Sequence, residues 1–332
     1  MASDGDFDWR PIEPRDAGTW SALLAAIQSA DRSWELISED DLHHEFGYPG
    51  SDFARSSMGV YAADGAMVGY GTLESREEAD PAHQMRYSGG VHPAWRQRGL
   101  GGRLLGWAET AAVPLHRECH PDRPLTLLGR CLSGNAAAMA LYAARGYHPV
   151  RWFHAMTRDL TTELPPVPAP PGVEIAPFTP ARSEDARLIR NEAFRDHWGS
   201  TQSSAEDWAH YLTVSAFRPE FSFLAYAGGA PAGFVFSQEY AEIPGVRDLF
   251  VATLGTRRAA RKRGIGSALL FRALTEAQAA GFTLASLVVD ADSLTGALGL
   301  YERAGFTVDH TSVTQSKSLL PKPLLPGGPA GA

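Results

Sequence analysis

Two short segments carry residues suited to holding an anion. Arg96-Gln97-Arg98-Gly99-Leu100-Gly101 and, roughly 160 residues later, Arg261-Lys262-Arg263-Gly264-Ile265-Gly266 share an Arg-x-Arg-Gly-x-Gly core. A strand that runs through such a loop into a helix leaves backbone N–H groups unpaired at the helix N-terminus, where the helix dipole favours negative charge. Gly99, Gly101, Gly264 and Gly266 lack Cβ, so a phosphate can approach the backbone closely. Arg96, Arg98, Arg261 and Arg263 add positive charge at the same place. Charge-assisted hydrogen bonds of this kind contribute about 1.5–3 kcal/mol each. The expected ligand is a phosphate-bearing cofactor. A dinucleotide fingerprint would need a third glycine at 104 or 269, and both are leucine. The Gly-Lys-Ser/Thr of a P-loop is absent.

A second pair of segments follows the first. Leu141-Tyr142-Ala-Ala-Arg145-Gly146-Tyr147 is matched by Leu300-Tyr301-Glu-Arg-Ala-Gly305-Phe306. Two different motifs recurring in the same order mark an internal duplication. The elements that must position them are similar in each half. An initial strand leads to helices (Ala17 to Ala30; Glu184 to Phe194) and then to a hairpin. Its strands are Met58 to Ala62 with Met67 to Leu73, and Phe221 to Ala227 with Ala232 to Gln238. Their turns hold Asp64-Gly65 and Gly228-Gly229. The motif strand, its helix and the next strand (Leu125 to Leu128; Leu284 to Val289) make a βαβ unit, and a last helix completes the half. Leu164 to Gly172 is proline-dense and is expected to be an extended linker. The domains expected are 1–160 and 173–318, joined by 161–172, with a disordered tail from Leu319 to Ala332.

Both motifs, in this order and in both halves, resemble the GCN5-related N-acetyltransferase (GNAT) superfamily. Its pyrophosphate loop reads Arg/Gln-x-x-Gly-x-Gly/Ala and its last major helix Leu-Tyr-x-x-x-Gly-Phe/Tyr. The resemblance spans most of residues 8 to 316. It implies an α+β chain of two tandem GNAT-like lobes. Each is a mixed, mostly antiparallel sheet flanked by helices, with a βαβ cofactor unit. It also implies acetyl-CoA, or another short acyl-CoA, as co-substrate. In lobe two the cofactor would lie against Leu254, Thr256, Arg261, Arg263, Gly264, Ile265, Gly266 and Ser267. In lobe one it would lie against Val91, Arg96, Arg98, Gly99, Leu100, Gly101, Gly102 and Asn135. Motif-strand N–H groups would polarise the thioester carbonyl, an amine would attack directly, and Tyr301, with Tyr142 as its counterpart, would protonate the departing thiolate. Both tyrosines also fit a purely structural reading as core aromatics. Asn135 has Ser293 and Leu294 in its place in lobe two. By analogy with tandem relatives, lobe two is expected to be the active one.

An amine that arrives protonated needs a base. Asp248, at the start of the second motif strand, is the first choice; Glu239 and Glu242 lie beside it, and Glu74 and Glu77 are the lobe-one counterparts. The loop Phe194 to Ser200, with His197 and Trp198, is expected with Glu239 to contact the acceptor; His92, before Pro93, reads as a turn residue. The resulting expectation is an acyl-CoA-dependent N-acyltransferase acting on a small-molecule primary amine. The alternative is a binding protein that kept the fold and lost the chemistry.

Composition is permissive. A net charge of −8 argues against a general nucleic-acid binder and suits a cationic acceptor. No run approaches a membrane span, and the acidic N-terminus is unlike a secretory signal, so the cytoplasm is expected. Cys119 and Cys131 are too few for a disulfide framework. The His116-Arg-Glu-Cys119-His120 cluster between Pro114 and Pro121 reads as a surface turn rather than a metal site, and no metal is expected. The chain is expected to be a monomer or homodimer.

Overall fold

The computed structural model describes residues 7–31, 39–47, 52–75, 81–195, 197–198, 202–240, 245–293 and 296–321. The first repeat runs β1 (Asp8–Arg10), α1 (Ala17–Asp31), α2 (Glu39–Phe46), α3 (Phe53–Ser56), β2 (Ser57–Tyr61), β3 (Met67–Ser75) and β4 (His83–Val91). It continues with α4 (Leu100–Cys119), β5 (Leu125–Leu132), α5 (Ala136–Ala144) and β6 (His148–Asp159). The second repeat runs β7 (Val173–Pro177), α6 (Ser183–Ala193), α7 (Ala205–Tyr211), β8 (Phe223–Ala227), β9 (Ala230–Tyr240) and β10 (Asp248–Thr256). It ends with α8 (Ile265–Ala279), β11 (Leu284–Asp290), α9 (Ala297–Arg303) and β12 (Thr307–Leu320).

Two compact units form, and they are not contiguous in sequence. One comprises residues 1–151 and 312–332, the other 152–311. In the first, β1 to β5 lie in order and residues 312–320 of β12 pair antiparallel with β5. In the second, the order is β7-β8-β9-β10-β11, and residues 153–159 of β6 pair antiparallel with β11. Each repeat's closing strand thus completes the sheet built by the other repeat. Periodicity marks a segment as a strand without naming its partner, so boundaries drawn along the chain at 160 and 173 do not show the exchange.

Within each unit, neighbours are antiparallel except one parallel pair, β4 with β5 and β10 with β11, each joined by a crossover helix, α4 or α8. Apolar alternation sets the two faces of unit two. Val235, Leu249 and Val251 join the core beneath α8, while Phe234 and Phe236 join a second core with Ile189 of α6 and Trp208 of α7. The hairpin turns fall on Gly65 (φ 84°) and on Gly228 and Gly229 (φ 58° and 81°), a conformation that favours glycine.

Three expectations change. Pro114 does not end α4: the helix continues to Cys119 and buries His116. His83, buried in β4, meets it Nδ1 to Nδ1 at 2.9 Å and meets Ser75 through Nε2 at 3.0 Å. Packing of this histidine pair outweighs the hydrogen bond that proline removes. Among the described residues, no group of three or more His, Cys, Asp or Glu side chains could hold a metal ion. The C-terminal segment is not tail from Leu319, since Leu319 and Leu320 end β12 and pack on the unit-one core; residues 322–332 lie outside the described ones. The proline-dense linker is extended yet packed, with Leu164 and Val167 against the unit-two core and Pro170 3.5 Å from where a Cβ on Gly264 would sit. No helix among the described residues is long and apolar enough to cross a membrane.

Candidate active site

The two glycine loops share one backbone shape. At Gln97 and Lys262 φ is 62° and 59°, and at Gly99 and Gly264 it is 82° and 79°. Left-handed residues at alternate positions gather N–H groups into a concavity that takes an anion. α4 and α8 start right after these glycines, and neither N-terminus has a side-chain cap. The first intrahelical bonds run from Arg103 N to Gly99 O (3.1 Å) and from Ala268 N to Gly264 O (3.0 Å). The N–H groups of Leu100, Gly101 and Gly102, and of Ile265, Gly266 and Ser267, therefore have no intrahelical acceptor. Leu100 and Ile265 bury their side chains and anchor the turn, and Gly99 is exposed, with nothing within 4 Å of a Cβ built on it. The donors fit a pyrophosphate.

The first arginine of each loop is a brace, contrary to its expected role. Arg96 donates from Nε to Val91 O (3.1 Å) and from both terminal nitrogens to Asp31 (2.7 and 2.8 Å). Arg261 donates from Nε to Thr256 O (3.2 Å) and from Nη2 to Ala193 O (3.0 Å). A bidentate carboxylate partner neutralises Arg96 and holds it away from a ligand. Val91 and Thr256 serve as carbonyl anchors for these bonds. Arg98 and Arg263 are exposed, with the Arg98 guanidinium 4.6 Å from the Trp95 ring centroid. Leu254 pairs with Val235 of β9. Asn135 caps α5, its Oδ1 accepting from Ala138 N at 3.0 Å, which is a sufficient structural reason for its presence. His92 likewise accepts from Ala94 N at 3.2 Å in a turn.

Beyond the loops the units diverge. In unit two the parallel strands pair only from Asp248 with Leu284 to Phe250 with Ser286, and from there β10 and β11 run on without pairing to each other. β10 also carries a bulge against β9 between Val251 and Thr253, so Ala252 leaves the ladder. In unit one the parallel pairing continues from His83 to Tyr87, opposite Gly129, and β4 runs along β3 with no break in register. The Tyr142 hydroxyl lies 2.3 Å from where a Cβ on Gly129 would be, so its ring covers that strand. The gap between parallel strands opens earlier in unit two, and the bulge lies beside it.

Asp248 lies at the closed end of that gap. It is 6% exposed, its Oδ2 accepts from Ser286 Oγ at 2.6 Å, and its Oδ1 is buried without a partner. Burial pushes its pKa up to about 6, with the Ser286 bond pulling the other way. Strand alternation puts Asp248 on the face of Ser286, Val288 and Asp290, opposite the α8 core. Val288 is 39% exposed, open floor where β10 has turned away. Phe153 stands opposite Asp290, and Trp198 lies 6.1 Å from Phe153, ring to ring. His197 lies 5.5 Å from Phe194, whose ring packs on Gly255 of β10. His197 and Trp198 thus come to this face. Glu239 does not: it shares the face of Leu249 and is held by Arg218 and Arg247, both at 2.9 Å. Glu74 sits 3.8 Å from Arg86, while Glu77, Glu242 and Leu294 lie outside the described residues.

Unit one lacks this arrangement. Leu249 and Met85 are both fully buried and core-facing on their strands, and Phe250–Ser286 corresponds to Arg86–Leu128. Asp248 and Ser286 therefore have Gln84 and Leu128 as counterparts. Ser286 escaped sequence reasoning because only strand register brings it to Asp248. Tyr301 and Tyr142 are both buried, each edge-to-face with an aromatic five residues on, Phe306 at 6.0 Å and Tyr147 at 5.2 Å. Burial raises both phenols above their ordinary range, so both stay protonated. Leu300, beside Tyr301, approaches the Gly266 turn of α8, and Leu141 approaches Gly101 in the same way.

An uncapped glycine loop opening a crossover helix, present twice, has parallels in known proteins. Residues 184–306 match the Acetyltransferase (GNAT) family and residues 54–149 an Acetyltransferase (GNAT) domain. A relative from Thermobispora bispora named mycothiol acetyltransferase is 34% identical over 300 residues, 89% of this chain and 93% of its own. This chain belongs to the GNAT superfamily. Another mycothiol acetyltransferase, from Geodermatophilus obscurus, is 31% identical over 89% of this chain and 92% of its own. The solved structure of a GCN5-related N-acetyltransferase from Sphaerobacter thermophilus matches with TM-score 0.78 and 28% identity, covering 98% of this chain and 99% of that one. A tandem GNAT protein from the clavulanic acid biosynthesis pathway shares the fold, with TM-score 0.71 and 19% identity over 95% of this chain and 99% of its own. The tandem GNAT architecture expected from the motifs is the one found, and the protein is an acyl-CoA-dependent N-acyltransferase. GNAT acetyltransferases use acetyl-CoA.

Proposed function

We propose that unit two is the catalytic lobe and transfers acetyl from acetyl-CoA to the primary amine of a small molecule. The observation that carries this reading is the bulge at Ala252 beside a buried carboxylate, both absent from unit one. The N–H groups of Ile265, Gly266 and Ser267 hold pyrophosphate, and Arg263 adds charge at the rim. Acetyl-CoA supplies the activated acyl group as a thioester. A backbone amide at the bulge donates to the thioester carbonyl oxygen as it gains negative charge. Asp248 takes a proton from the incoming ammonium. As the C–N bond forms and the C–S bond breaks, Tyr301 gives its proton to sulfur and regains one from the nitrogen. Asp290, Val288, Phe153, His197 and Trp198 line the acceptor side. A carboxylate-bearing face with two aromatic walls suits a cationic acceptor with an apolar flank. The relatives' name points to an acceptor related to mycothiol.

The test is the pH dependence of kcat/KM in wild type and Asp248→Asn. Asp248 acts as base only when ionised, so wild-type activity should fall as pH drops below about 6. The asparagine variant should lose about 10²–10⁴-fold in rate and the acid limb with it. Retention of both rate and limb would remove Asp248 from the mechanism.

A further inference from the structure

We infer that Ser286 is a positioning residue for acyl transfer, holding Oδ2 of Asp248 so that Oδ1 is presented to the acceptor amine. The inference rests on Asp248 being the base. Three observations carry it. The hydroxyl-to-carboxylate contact is short, 2.6 Å, and Ser286 is fully buried, so no water competes for that oxygen. The second oxygen, on a side chain 6% exposed, is left without any partner, an arrangement that is costly unless a ligand completes it. The pair is also absent together in unit one, where Gln84 and Leu128 stand instead. A serine that merely filled the sheet would have no reason to vanish with the carboxylate.

The titratable and polar groups on the Asp248 face include Gln238 of β9, Ser286 and Asp290 of β11, Tyr211 of α7 and His197 of the segment after α6. Of these, Ser286 donates to the carboxylate and favours its ionised form. Removing the hydroxyl should therefore raise the pH at which the base becomes active.

The experiment compares pH profiles of kcat/KM for the full-length wild type, Ser286→Ala, Ser286→Thr and Asp248→Asn, with thermal melts and acetyl-CoA titration on each. Ser286→Ala should move the acid limb up by about one pH unit, the effect of one lost hydrogen bond to a carboxylate. Its kcat/KM should fall roughly tenfold at pH 5 and only about twofold at pH 7, with acetyl-CoA affinity unchanged, and Ser286→Thr should restore the wild-type limb. If Asp248→Asn abolishes the limb but Ser286→Ala leaves it in place, the positioning role is wrong and the base reading stands. If Asp248→Asn keeps the wild-type limb, the base reading falls and takes this inference with it.

Discussion

Replacing Gly266 by aspartate puts a carboxylate at the second position of α8, in ordinary helical backbone. A Cβ there meets Leu300 Cδ2 at 3.6 Å and Thr256 Oγ1 at 3.7 Å, plain van der Waals distances, so the fold has room for it. An acidic residue in a first helical turn stabilises the helix by about 0.3–1 kcal/mol. The same carboxylate would sit among the N–H groups offered to pyrophosphate. Repulsion between unit charges near 4 Å amounts to about 4 kcal/mol at an effective dielectric of 20, less at an exposed rim. One displaced charge-assisted hydrogen bond adds about 1.5–3 kcal/mol. Together these give about 3–5 kcal/mol, a loss of roughly two to four orders of magnitude in affinity. Gly264 would be a poorer choice, since its φ of 79° strains any side chain. Gly101→Asp is the matched change in unit one, with Leu141 Cδ2 at 3.4 Å. Calorimetric titration of acetyl-CoA into the wild type and both variants, with turnover and melting temperature alongside, reads the outcome. Gly266→Asp should melt at or above the wild-type temperature and lose turnover, and Gly101→Asp should keep it. Affinity and turnover within threefold of wild type in Gly266→Asp would refute the assignment of this turn to pyrophosphate.

Tyr301→Phe removes only a hydroxyl, so stability should change little while kcat falls about 10²–10⁴-fold at unchanged acetyl-CoA affinity; Tyr142→Phe should leave turnover intact, and equal turnover in wild type and Tyr301→Phe would end the acid role. Gly255→Ala forces a methyl to within 2.8 Å of Phe234, 3.0 Å of Phe194 and 3.1 Å of Ala193. It should cost about 1–3 kcal/mol and raise the acceptor KM by shifting the loop that carries His197 and Trp198, both measurable by melting and steady-state kinetics. His83 is buried and held neutral: burial first, then His120 and His116, lower its pKa to about 4, against about 6.5 unfolded. The unfolded chain binds more protons below 6.5, so up to about 3 kcal/mol of unit-one stability should be lost as pH falls from 6.5 to 4. The exchange free energies of the β4 amides, corrected for the slower intrinsic exchange at low pH, should fall in that window, and values that hold steady across it would contradict the assignment.

What the sequence determined by itself is local or repeated. The glycine loops, the helices they open, the Leu-Tyr segments and the duplication are legible because each rests on backbone conformation and neighbours a few residues apart. Asp248 was legible as a carboxylate at the head of the motif strand. The tertiary structure decided the rest, through pairings that no local signal encodes. Register brings Ser286 to Asp248 from 38 residues away, and it sets Gln84 and Leu128 in their place in the other unit. It turns Glu239 to the opposite face, into two ion pairs. The bulge at Ala252 has no counterpart in β4, although the loops after the two strands read alike. The closing strands β6 and β12 exchange sheets because a strand's hydrophobic pattern fixes its face and leaves its partner to be chosen by whichever sheet edge the chain can reach. Pro114 and His116 show the same limit: a proline that reads as a break is overridden where a buried contact on the helix outweighs one missing hydrogen bond.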